Sequence, residues 1–168
     1  MRGSWLAAAL LVVFAATTWA EPSDAKISHL KAEYLENPLG IDILQPRLSW
    51  RIEAAPEHRG WQQSAYQILV ATSPNLLSQD QGDLWDSTKI TSPRSIQIPY
   101  GGTTLKSFQV CWWKVRSWDE KGIPTPWSEP ASRSMGVLNP SDWRCNWIEF
   151  LEPMPGNPLP LRSSSPLK

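Results

Sequence analysis

Residues 111–118, Cys-Trp-Trp-Lys-Val-Arg-Ser-Trp, most constrain what this chain can fold into. As a strand the run has two faces, because successive side chains point in opposite directions. Cys111, Trp113, Val115 and Ser117 fall on one face, and Trp112, Lys114, Arg116 and Trp118 on the other. A polar turn follows at Asp119-Glu120-Lys121-Gly122. There Asp can accept from the backbone ahead of it, and Gly accepts a positive φ. Trp127-Ser128 opens a returning strand. A hairpin of this kind closes a β-sandwich, and such sandwiches are binding or spacer modules far more often than catalytic centres.

The rest of the body agrees. Short β-type runs recur between turn signals and no stretch sustains a helical period. The runs are 27–35, 47–52, 65–72, 84–90, 95–99, 108–118 and 127–137, seven in all. Asn37-Pro38-Leu39-Gly40 ends the first, and Pro46 opens the second. Ser73-Pro74 starts one short helical turn through Leu76 and Leu77, with Ser73 as cap and Pro74 at the first helical position. The expectation is an all-β domain over 25–138, a seven-stranded fibronectin type III or immunoglobulin-like sandwich.

The flanks read differently. Residues 1–20 carry Arg2, an apolar run from Leu6 to Ala16 and a small residue at Ala20, the pattern of a signal peptide rather than a spanning helix. The expected location is secreted or periplasmic, with no membrane attachment after cleavage. Asn139-Pro140-Ser141-Asp142 marks the exit from the domain. Residues 139–168 form a Pro-rich tail, read as a linker or the start of a truncated second domain, because proline removes donors and fixes φ. Lys and Arg total 16 against 16 Asp and Glu. Without a basic stripe or a polybasic segment, nucleic acid and anionic lipid are not expected partners. Cys111 and Cys145 are the two cysteines and leave a bridge open; His29 and His58 are isolated, so no metal or cofactor site is expected.

Ordered motifs carry a resemblance. Glu33-Tyr34-Leu35-Glu36-Asn37-Pro38-Leu39-Gly40-Ile41-Asp42 precedes Pro46-Arg47-Leu48-Ser49-Trp50. Arg59-Gly60, Gln63, the run 65–71 and Gly82-Asp83-Leu84-Trp85-Asp86-Ser87 continue it, and the run 113–119, Gly122, the run 127–130 and Asp142-Trp143 close it. In this order the chain resembles the N-terminal region of secreted bacterial α-L-rhamnosidases. The resemblance implies a multi-domain glycoside hydrolase with a fibronectin-like module first, further sandwiches, and an (α/α) barrel that performs inverting hydrolysis of terminal α-L-rhamnose. The paired carboxylates of that reaction, ~6.5–9.5 Å apart, belong to the barrel. It therefore implies no catalytic residue here, with downstream domains of the same enzyme as partners. Two departures stand out: the family places an aromatic near Arg133-Ser134, and it continues Trp-Ile-Gly where this chain has Trp147-Ile148-Glu149.

Asp83, Asp86, Asp119, Glu120 and Glu129 are the carboxylates near aromatic residues, and each reads first as a turn or loop acceptor. Of 11 Trp, Trp50, Trp85 and Trp113 fall where a sandwich core or rim needs bulk, whereas Trp112, Trp118 and Trp127 are the candidates for exposure. Arg116 lies among the latter three. Two readings of Trp112, Arg116, Trp118 and Trp127 follow: a structural Trp–Arg stack, favoured by cation–π attraction, or a platform on which rhamnose-containing glycans stack.

Overall fold

A computed structural model describes residues 23, 25–56 and 60–144. The expected signal peptide at residues 1–20, Arg59, Cys145 as a partner for Cys111, and residues 145–168 lie outside the described residues.

Two antiparallel sheets face each other. The first has the order β1 (Lys26–Ala32), β2 (Arg47–Glu53), β6 (Ile98–Pro99). The second has the order β4 (Trp85–Asp86), β3 (Ala65–Ala71), β7 (Val110–Trp118), β8 (Ala131–Ser134), with β5 (Ile90–Thr91) also on β3. This is an immunoglobulin-like sandwich with one short helix, α1 (Pro74–Ser78). Ser73 caps that helix by accepting from the Leu76 N–H at 3.4 Å.

Seven expected runs become eight strands for one local reason. The run 84–90 is broken at Thr88, whose φ is 53°. Its two halves pair with opposite ends of β3, Trp85 with Val70 and Ile90 with Tyr66. The Ser87 hydroxyl bridges the gap by accepting from the Ile68 N–H at 2.8 Å. A bulged edge of this type discourages pairing with another chain. The first strand also ends earlier than expected, at Ala32, because Glu33 and Tyr34 turn into positive φ.

Strand alternation builds the core. Leu48 and Trp50 from β2 meet Tyr66, Ile68 and Val70 from β3 and Cys111, Trp113 and Val115 from β7. Trp50 packs edge-on against Tyr66, ring centroids 5.2 Å apart, a geometry worth ~0.5–1.5 kcal/mol beyond the area it buries. The returning strand is shorter than expected and regular only over Ala131–Ser134. Trp127-Ser128 reaches β7 through the Ser128 N–H to the Val115 carbonyl, 2.9 Å.

The connection between β1 and β2 closes the seam between the sheets. The Pro38 carbonyl accepts from the Ser134 N–H at 3.0 Å, and the Ile41 carbonyl accepts from the Gly136 N–H at 2.7 Å. Asn37 Oδ1 accepts from the Ser132 N–H at 2.8 Å. A Cβ on Gly136 would stand 2.9 Å from the Gly40 carbonyl oxygen, so only glycine permits this approach.

Candidate functional site

The outward face of β7 lines up its long side chains against the β7–β8 connection. The turn forms as its residues dictate: Asp119 Oδ1 accepts from the Lys121 and Ile123 N–H groups at 2.9 and 2.7 Å, and Gly122 takes φ 78°. This returns Trp127 beside Arg116. The Arg116 guanidinium lies 4.5 Å from the Trp127 ring centroid and 4.9 Å from that of Trp118. Lys114 Nζ stands 4.7 Å from Trp127, and Lys89 Nζ stands 4.6 Å from Trp118. Cations and indoles thus alternate in the order Lys89, Trp118, Arg116, Trp127, Lys114.

Hydrogen bonds fix the cations. Arg116 donates from Nε and Nη2 to Gln67 Oε1 at 3.1 and 2.8 Å. Gln67 in turn donates to Asp86 Oδ1 at 2.8 Å. Lys114 Nζ donates to the Leu77 carbonyl at the end of α1 and to Asp80. That bond to Asp80 holds its carboxyl below the ordinary range.

Exposure differs from expectation at Trp118, which is 7 % exposed beneath Lys89 and Arg116. Trp112 and Trp127 are half-buried and pack with Leu69, Ala71 and Leu77. At this end of the face the cause is α1, whose Leu77 packs with them and accepts from Lys114. Lysine at an outward strand position ordinarily signals solvent; here Lys114 is 6 % exposed. Three indoles within one hairpin were the one sequence hint that this face has a cover.

The carboxylates resolve into structural acceptors. Asp83 receives the Thr72 N–H and hydroxyl at 2.8 and 2.7 Å. Asp86 also receives the Thr88 N–H at 2.7 Å. Glu120 and Glu129 are exposed. Among the described residues no group of three or more His, Cys, Asp or Glu could hold a metal ion.

Two buried features escaped the sequence reading. Gln63 ties the sheets together: its Oε1 accepts from Trp50 Nε1 at 3.2 Å and from the Ser117 hydroxyl at 2.7 Å, and its Nε2 donates to the Ser92 and Arg94 carbonyls at 3.1 and 2.7 Å. Arg133 is the second. It is 1 % exposed, pairs across strands with Cys111 and lies 4.8 Å from the Tyr100 ring centroid. Among the described residues no oxygen or nitrogen acceptor reaches its Nε, Nη1 or Nη2. Burial pushes the Arg133 pKa down and the Cys111 thiol up.

The motif residues behave likewise. Glu33 clamps Arg47 through Nε at 3.2 Å and Nη2 at 2.7 Å and also accepts its N–H at 2.6 Å. The Arg47 hydrogen bond holds the Glu33 carboxyl below its usual range.

Comparison with known proteins places this geometry. Residues 27–139 match the family described as Rha78A-like, N-terminal immunoglobulin domain. An α-L-rhamnosidase of Streptomyces avermitilis is 40% identical over 133 residues, which is 79% of this chain and 12% of the relative. An α-L-rhamnosidase of Alteromonas sp. strain LOR is 36% identical over 151 residues, 88% of this chain and 16% of the relative. Among solved structures, an α-L-rhamnosidase of Dictyoglumus thermophilum superposes with TM-score 0.69 at 34% identity, over 74% of this chain and 14% of that one. The chain therefore spans less than a fifth of the relatives it matches, and it belongs to the Rha78A-like family as that family's N-terminal immunoglobulin domain.

Proposed function

We propose that this chain is the non-catalytic packing module at the start of a secreted α-L-rhamnosidase, whose downstream domains hydrolyse terminal α-L-rhamnose. The observation that carries the reading is the coverage: the curated relatives bear that activity in their names, yet this chain aligns with only 12–16% of their length. Asp83, Asp86 and Asp119 support it, since each is engaged with loop or turn donors. The ladder belongs to the scaffold, because cations lie within 4.5–4.9 Å of the indole rings on which a pyranose would stack. No helix among the described residues is long and apolar enough to cross a membrane.

The purified chain, freed of residues 1–20, is expected to release no aryl alcohol from an aryl α-L-rhamnoside. Turnover above a no-enzyme blank that disappears on changing Asp83, Asp86 or Asp119 to Asn would overturn the reading. Retarded migration through a rhamnose-containing glycan, lost in Trp127→Ala, would transfer the ladder from scaffold to glycan platform.

A further inference from the structure

Two connections face each other across an open cleft beside the paired ends of β2 and β6, where Arg47 stands opposite Pro99. Residues 42–45 line one side, and Tyr100, Thr103 and Thr104 line the other, around a space of about 540 Å³. That volume falls within the ~300–1,000 Å³ of small-molecule sites.

Both walls are tied down. The Ile41 N–H donates to the Ser134 carbonyl at 2.9 Å, and the Pro46 carbonyl accepts from the Tyr100 N–H at 3.1 Å, so residues 42–45 hang between two buried anchors. On the facing wall the Thr103 N–H donates to the Leu84 carbonyl at 3.0 Å, and the Tyr100 hydroxyl donates to the Thr103 carbonyl at 3.0 Å. A cleft formed in advance loses little freedom when it is filled. Its exposed side chains are of two kinds. Ile43 and Leu44 are apolar, 43 % and 54 % exposed. Asp42, Gln45 and Thr104 are polar and exposed. The carboxylate only accepts, whereas the amide and the hydroxyl both donate and accept. Among the described lining residues there is one carboxylate and no cation, which disfavours an anionic ligand. A ligand with a methyl group on one edge and hydroxyls on another matches both kinds of side chain.

We propose that this cleft binds a neutral 6-deoxypyranose, a terminal rhamnose unit. Its C6 methyl packs on Ile43 and Leu44, and its ring hydroxyls donate to the Asp42 carboxylate. The cleft shares no residue with the ladder of cations and indoles. This deepens the reading of the chain as the first module of an α-L-rhamnosidase and rests on it: the module holds one rhamnose terminus of a glycan and leaves hydrolysis to the domains that follow.

The test is a titration of the purified chain, freed of residues 1–20, with methyl α-L-rhamnoside, read by the amide shifts of residues 42–45 and 100–104. Those shifts should saturate with a dissociation constant of about 1–10 mM, ordinary for so small a ligand in an open cleft. Methyl α-L-mannoside, which carries a hydroxyl on the carbon that is a methyl in rhamnose, should bind about fivefold more weakly. Asp42→Ala should weaken the rhamnoside about tenfold. Ile43→Ser should bring the two sugars to within about twofold of each other. Both positions are exposed, and unchanged shifts elsewhere show that the fold stands. No saturating shift at these residues, saturation that survives Asp42→Ala, or equal affinity of the parent for both sugars overturns the proposal. Shifts confined to the ladder overturn it too, by moving the sugar to Trp118 and Trp127. Absence of binding leaves the module reading standing, since only rhamnoside turnover by the isolated chain removes that reading.

Discussion

Arg116 and Arg133 sit on adjacent strands of one sheet and both lie over aromatic rings, yet their surroundings are opposite. Arg116 points to the outer face, flanked by two indoles, with two hydrogen bonds to Gln67. Arg133 points inward, over one phenol ring and beside the Cys111 thiol, with no oxygen or nitrogen acceptor for any guanidinium nitrogen among the described residues. A stacked cation gains ~0.5–1 kcal/mol at an exposed site and ~2 when desolvated. Removing a charge from water without hydrogen-bonded compensation costs several kcal/mol. The ring therefore offsets the cost at Arg116 and falls well short of it at Arg133. The same contact is a fastener in one place and a residual attraction in the other.

The sharpest way to break this contrast is Arg133→Met, an apolar side chain flexible enough to fill the same space. It should raise stability by ~1–4 kcal/mol, the range found when buried charges give way to packed apolar groups. Urea unfolding of parent and variant measures it. Equal stability would mean that Arg133 has an acceptor and that the two arginines differ less than their geometry indicates.

Arg116→Lys tests the other side. Lysine keeps the charge but loses the flat stacking surface and the paired donation to Gln67, so stability should fall by ~0.5–1.5 kcal/mol. A double-mutant cycle with Trp127→Ala should show coupling between the sites. Additive effects would demote the ladder to a set of independent neighbours.

The smallest expected effect belongs to Asp80 at the ladder's end. Its folded pKa lies below the ordinary value of 3.8, chiefly through the Lys114 hydrogen bond. A depressed carboxylate stabilises above its unfolded pKa, and that contribution disappears as pH falls through the folded value. The Asp80 side chain is 59% exposed, so solvent screening limits the contribution to ~0.2–1 kcal/mol. Parent and Asp80→Asn should differ by this amount at pH 7 and converge below about pH 4. A constant difference across that range would show that the pair contributes through packing rather than charge.

Strand alternation makes the core legible from the residue order alone. Trp50, Trp113 and Val115 occupy the inward positions their spacing dictates, and the Asp119–Gly122 turn follows from its two terminal residues. The outer face is less legible, because α1 and β7 are distant in sequence and alternation says nothing about what covers a strand. Lys114 consequently looks solvated and is buried. Gln63 is invisible in the sequence for a related reason: its four partners come from residues 50, 92, 94 and 117. Arg133 is legible only as a basic residue in a strand, with nothing in the residue order to say that it is buried.

The seam between the sheets has a consequence for the order of events during synthesis. Asn37 waits for Ser132, 95 residues later, and Gly40 waits for the Ser134 hydroxyl, 94 residues later. Contacts this distant in sequence form slowly, because loop closure precedes the gain from pairing. These contacts of Asn37 and Gly40 therefore stay unmade until β8 has been synthesised, whereas Glu33 of the same motif finds Arg47 only 14 residues on.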